Sequence, residues 1–153
     1  MIVWLEDRIQ TIGPELEYLK KREIKPMVLP TVVAFVDYLE EMAAEGAPAP
    51  RLFVLDVMIH GVHDLLGIGI RDAPTFQGTK TGYVFADRVL RKEDSPWRDT
   101  RIVFYTEAEA KHLREAAAKL ATEDDALDCC VFQKYRDAQL TEFKALIEAT
   151  VRE

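Results

Sequence analysis

Five short apolar runs alternate along the chain with longer segments in which apolar residues recur every three or four positions. The first run is residues 1–5 (MIVWL). Residues 8–22 follow, with Ile9, Ile12, Leu16 and Leu19 at helical spacing. Gly13-Pro14 inside that segment predicts a late start or a kink. The second run, 25–29, carries Pro26 and is followed by Pro30. Proline has no amide to give a central ladder, so this is an edge strand. Thr31 is placed to cap a helix running to about residue 45, with Val32, Phe35, Val36, Leu39 and Met42 on one face. Residues 47–50 (APAP) form a loop, and 52–55 (LFVL) are the third run. Residues 57–80 hold Gly61, Gly67, Gly69, Gly78 and Pro74 and show no period. Such a length goes with function or with partial disorder. A helix is expected over 81–92, with Tyr83, Ala86, Val89 and Leu90 inward. Ser95-Pro96 breaks the chain before the fourth run, 102–105 (IVFY). Residues 107–121 read as a helix with Leu113, Ala117 and Leu120 aligned and with Glu107/Lys111 and Glu115/Lys119 four apart. The fifth run is 129–132 (CCVF). An amphipathic helix over 137–151 closes the chain, with Leu140, Phe143, Ile147 and Val151 on its apolar face.

This is (βα)5 alternation. The central runs are apolar throughout, as strands covered on both faces are. Right-handed crossovers then give a doubly wound parallel sheet. The proline-bearing second strand belongs at the edge of a 2-1-3-4-5 order, with a long loop between the third strand and the third helix.

The 153 residues fit one domain, 1–153. With 48% hydrophobic and 31% charged residues the composition is that of a globular protein. The apolar runs are too short to span a bilayer, and no basic segment precedes an apolar one at the N-terminus. A net charge of −7 argues against nucleic-acid backbones as the main ligand. Cys129 and Cys130 are adjacent, which is no disulfide framework, and read as core residues of an edge strand. Cytoplasmic residence without membrane attachment is the expectation.

Chemistry-bearing residues follow the central runs. Glu6 and Asp7 follow the first, Asp56 the third and Thr106 the fourth. Lys134 comes just after the fifth, past Gln133. In a parallel sheet these ends share one edge, where ligands bind at the switch point. Three carboxylates, a hydroxyl and an ammonium should therefore converge from four strands. Clustered carboxylates need a counter-charge, and a hard divalent ion such as Mg²⁺ meets that need. A carboxylate is also a competent nucleophile towards phosphorus, giving an aspartyl-phosphate.

On these residues the sequence resembles, over essentially its whole length, the receiver domain of two-component response regulators. That domain is flavodoxin-like and accepts a phosphoryl group on aspartate from a histidine kinase. The family's acidic pair matches Glu6-Asp7, its phosphoacceptor Asp56, its Thr/Ser Thr106 and its lysine Lys134. The resemblance implies that Asp7, Asp56 and the backbone carbonyl of Met58 ligate Mg²⁺, with Glu6 nearby or acting through water. It implies a stand-alone regulatory phosphoacceptor, at most transferring to and hydrolysing its own phosphoryl group. Its partners would be a histidine kinase or phosphotransfer protein and a downstream protein, and a homodimer would use the fourth and fifth helices. Several positions depart from the family pattern. Ile59 and His60 stand where Met-Pro is common, and helix-leading Gly82 comes late. Glu107 replaces a small residue after Thr106, where its charge would repel a phosphoryl group or slow its hydrolysis. Tyr135 replaces a cis proline after Lys134. Val131 occupies the usual aromatic position, with Tyr105 and Phe132 as the nearby substitutes. The loop over 57–80 would act as a lid or partner surface.

Other readings compete. Asp7 and Thr106 also suit helix caps. His60, His63 and Asp64 are read as exposed loop residues, because His-x-x-His on a glycine-rich loop is a weak metal signal. Gly78-Thr79-Lys80-Thr81-Gly82 lacks the spacing of a phosphate loop. Trp4 reads as core. The departures motivate an alternative of another class, a degenerate receiver serving as a phosphorylation-independent interaction module. A phosphohydrolase of the haloacid-dehalogenase type ranks last, since Glu6-Asp7-Arg8 lacks its two-residue aspartate spacing.

Overall fold

A computed structural model describes residues 1–60, 65–71, 73, 75, 76, 78–107, 110–120 and 129–153. Five strands, β1 (Ile2–Leu5), β2 (Met27–Leu29), β3 (Leu52–Leu55), β4 (Arg101–Thr106) and β5 (Cys129–Gln133), form one parallel sheet in the order β2-β1-β3-β4-β5. The expected flavodoxin-like doubly wound topology is the one observed. β2 lies at the edge and is the shortest strand, starting after Pro26 instead of at residue 25.

Alternation of side chains along each strand builds two cores. Val3, Leu5, Phe53, Leu55, Ile102, Phe104 and Val131 pack beneath α2 (Val32–Ala44), α3 (Thr81–Phe85) and α4 (Ala110–Ala118). Ile2, Trp4, Leu52, Val54, Val103, Tyr105 and Phe132 pack beneath α1 (Gly13–Lys20) and α5 (Asp137–Arg152). Thr31 caps α2 as expected, its hydroxyl accepting from the Ala34 amide at 3.0 Å.

Helix boundaries differ from the periodic reading for local reasons. The segment 8–22 divides into a 3-10 turn, Ile9–Ile12, and α1, whose late start at Gly13 with Pro14 in the first turn is the one that Gly13-Pro14 predicts. Ile9 is therefore 53% exposed and not on the buried face. After Phe85 the third helix widens into a π turn, Ala86–Leu90, closed by the Arg91 amide donating to the Ala86 carbonyl at 2.8 Å. It stops short of residue 92. Cys130 is half-buried rather than core. No helix among the described residues is long and apolar enough to cross a membrane.

The long segment between β3 and α3 is packed where it is described. Ile59, Leu65 and Ala73 are buried in the α2/α3/α4 core, and a 3-10 turn, Leu66–Ile68, lies against α2. The Ile59 amide donates to the Gly78 carbonyl at 3.0 Å. His63 and Asp64 lie outside the described residues.

Candidate functional site

The ladder continues past the strand ends and carries the site residues with it. The Glu6 amide donates to the Leu29 carbonyl (3.0 Å), the Asp56 amide to Leu5 (2.9 Å) and the Lys134 amide to Thr106 (2.8 Å). Gly82 fixes the backbone after β3. Its amide donates to the Val57 carbonyl at 3.1 Å, and a Cβ there would lie 2.1 Å from the Asp56 carbonyl oxygen. No residue with a side chain fits this approach.

Glu6, Asp7, Asp56, Thr106 and Lys134 thus meet at one edge of the sheet. Glu6, Asp56, Thr106 and Lys134 are all buried. The Lys134 ammonium donates to Glu6 Oε2 at 2.5 Å, Asp56 Oδ2 at 2.8 Å and Thr11 Oγ1 at 3.4 Å. The other oxygen of each carboxylate is held by backbone. Asp56 Oδ1 accepts from the Met58 amide and Glu6 Oε1 from the Arg8 amide, both at 3.0 Å. Asp7 differs. Its Oδ2 accepts from the His60 amide at 3.0 Å, while its Oδ1 is buried with no partner among the described residues.

Burial, and then the Asp56 charge, push the Glu6 carboxyl up to about 7 against the pull of Lys134. Burial pulls the Lys134 ammonium down, but Asp56 and Glu6 more than offset it and the net shift is upward. Carboxylate oxygens of Glu6, Asp7 and Asp56 all lie within 4.8 Å of one another. Three carboxylates face one ammonium, so the cluster keeps an excess of negative charge. An all-oxygen donor set with an orphaned, buried Asp7 Oδ1 fits a hard divalent cation.

A cavity of about 40 Å³ opens beside Asp56 and is lined also by Glu6, Lys134, Arg8, His60 and Glu107. Thr106, wholly buried, ends β4 next to Lys134 but does not line it. The rim joins Glu107 and Tyr135, the neighbours of Thr106 and Lys134, to Arg8 from the turn after β1. Glu107 Oε1 accepts from the Tyr135 hydroxyl at 3.2 Å and lies 3.8 Å from Arg8 Nη2. Tyr135 is exposed and adopts φ 64°, the left-handed region, in place of a cis peptide. Thr11, Arg8 and Tyr135 are contributed by turns, and only a polar residue one turn beyond the acidic pair hints at Thr11. His60 is exposed, as the loop reading has it, but its ring and amide both approach Asp7.

Neither aromatic substitute reaches the α4 side. Tyr105 and Phe132 face α1 and α5, whereas Val131 faces the α4 layer. The Tyr105 hydroxyl donates to Glu15 at 2.6 Å, and its ring stacks on Phe143 at 4.2 Å. Burial first, and then Glu15, push this phenol well above its ordinary range.

No protein-family model and no curated protein matches the sequence. Solved structures do match. The signal receiver domain of a DNA-binding response regulator from Colwellia psychrerythraea 34H is 16% identical, with a TM-score of 0.66 over 99% of this chain and 98% of that one. A two-component response regulator from Legionella pneumophila is 19% identical, with a TM-score of 0.59 over 97% of both chains. The Mn²⁺-bound form of the response regulator Rcp1 is 17% identical, with a TM-score of 0.59 over 97% of this chain and 91% of that one. The fold is that of response-regulator receiver domains.

Proposed function

We propose that residues 1–153 act as one receiver unit that accepts a phosphoryl group on Asp56 and signals through protein contacts. The observation that carries this reading is the buried contact of Lys134 with Asp56, 2.8 Å, inside a cluster contributed by β1, β3, β4 and β5. Asp7, Asp56 and the Met58 carbonyl would hold Mg²⁺, with Glu6 nearby or acting through water. Bound there, Mg²⁺ supplies positive charge against the phosphoryl oxygens.

The chain's own residues do the rest. An Asp56 oxygen attacks the phosphorus of a phosphohistidine on a kinase or phosphotransfer protein. The P–O bond forms, the P–N bond breaks, and its electron pair returns to the imidazole nitrogen. Lys134, already against Asp56, pairs with one phosphoryl oxygen, and the Thr106 hydroxyl, which does not line the cavity beforehand, turns in with the loop after β4 to donate to another. Because Lys134 also holds Glu6, moving its ammonium towards the phosphoryl group releases a buried carboxylate and shifts the turn after β1. That rearrangement would be read by a downstream protein. The role is regulatory, and the cytoplasm is the compartment that such a relay implies.

Calorimetry with Mg²⁺ and beryllofluoride, a mimic of the aspartyl-phosphoryl group, tests this. The wild type is expected to bind and Asp56→Asn not to. Absence of binding in the wild type, with Mg²⁺ alone also silent, would overturn the reading in favour of a phosphorylation-independent interaction module.

A further inference from the structure

We infer that His60 is a nitrogen ligand to the cation held at the acidic cluster, so that the site favours first-row transition-metal dications over Mg²⁺. This rests on the metal-binding part of the proposed function.

His60 is tethered at the cluster by its own backbone, since its amide donates to Asp7 Oδ2 at 3.0 Å. That bond places the ring on the same oxygen, with Nδ1 3.3 Å from Oδ2. His60 also lines the cavity with Asp56 and Glu6, and its ring nitrogens lie outside the set of carboxylate oxygens grouped within 4.8 Å, so ligation needs the ring to turn inward. For a hydrogen bond to carboxylate 3.3 Å is long. Oδ2 already accepts the His60 amide, while Oδ1 of the same carboxylate is buried and unpartnered. Asp7 therefore has capacity for a cation beside the ring. The imidazole is 59% exposed, so it can turn its nitrogen towards an ion without leaving a packed position.

The chemistry follows from the donor set. Glu6, Asp7 and Asp56 alone offer hard oxygen, which suits Mg²⁺. One imidazole adds a borderline donor that strengthens binding along the Irving–Williams order and adds little for Mg²⁺.

Calorimetric titration of the full chain with Mg²⁺ and, separately, Co²⁺ tests the selectivity, in the wild type, His60→Gln and Asp7→Asn. Glutamine keeps a hydrogen-bond donor for Asp7 but is a poor ligand for these ions. The expected result is a loss of about tenfold or more in Co²⁺ affinity in His60→Gln, with Mg²⁺ affinity unchanged. Electron spin echo modulation on the Mn²⁺-loaded protein should show a directly bound ¹⁴N in the wild type and none in His60→Gln. Equal losses for Mg²⁺ and Co²⁺, or no bound ¹⁴N, would make His60 a positioning group and overturn the inference while leaving the acidic site standing. Wild-type binding of neither ion, or binding unchanged in Asp7→Asn, would overturn both.

Discussion

Lys134 is the residue on which the site's electrostatics turn. Its ammonium is almost fully buried and holds two carboxylates that no other described side chain neutralises. Buried ion pairs are costly to desolvate, and removing one partner leaves the other charge stranded. Lys134→Met should therefore destabilise the protein in chelator by about 3 kcal/mol, read from urea unfolding. The same change deepens the negative potential, so Mg²⁺ should raise the melting temperature of the variant more than that of the wild type. A variant as stable as the wild type in chelator would mean that the carboxylates shed their charge without Lys134. At this scale the meeting of Glu6, Asp7, Asp56, Thr106 and Lys134 at one sheet edge was legible, because the end of an apolar run marks the end of a strand. Glu107 and Tyr135 stood out as the neighbours of Thr106 and Lys134, but Arg8 and the contacts among the three did not. Their meeting depends on turn geometry, including a left-handed tyrosine that no spacing rule announces.

Between elements, α1 and α5 are joined at the surface by one carboxylate. Glu148 of α5 accepts from the Tyr18 hydroxyl of α1 and pairs with Arg22 just beyond it, whose guanidinium lies 3.6 Å from the centre of the Tyr18 ring. Tyr18 first, and then Arg22, hold the Glu148 carboxyl below its usual value of 4.5. A carboxyl depressed in the folded state stabilises above its unfolded value and loses that contribution as pH falls through the folded one. Glu148→Gln should thus melt below the wild type at pH 7, and the gap should narrow as pH is lowered beneath 4.5. Thermal unfolding followed by circular dichroism measures it, and a gap that stayed constant in acid would deny Glu148 this role. Element limits were harder to read than element types. The apolar period of 8–22 crosses Gly13-Pro14 unbroken, and only that dipeptide announces the late start of α1; the 3-10 turn that fills the residues before it leaves no mark on the period. The π turn after Phe85 is likewise invisible to periodicity, since it keeps Ala86 and Leu90 buried.

Across the whole molecule, the topology was legible because each central strand is apolar on both faces, which only a sheet covered on both sides satisfies, and because Pro26 and Pro30 sent β2 to the edge. The segment between β3 and α3 was not. Its buried Ile59, Leu65 and Ala73 follow no period, so their packing on the α2/α3/α4 core leaves no trace in the pattern. The two cores lie on opposite faces of one sheet, and successive residues of every strand alternate between them. Losing one core would leave half of each strand's side chains in water, so neither should persist alone. Phe143 adds to this on its side by touching Trp4 of β1, Tyr105 of β4 and Phe132 of β5. The two tryptophans divide between the layers: Trp4 is in the α1/α5 core and Trp97 packs on the other. In Trp97→Phe, fluorescence follows the first core, and in Trp4→Phe the second, while circular dichroism reports the helices of both. If residues 1–153 form one cooperative unit, fluorescence and dichroism should give the same urea midpoint within each variant. Separate midpoints in either variant would mean that one layer melts without the other. A signal at Asp56 would then have no rigid sheet through which to reach the far face.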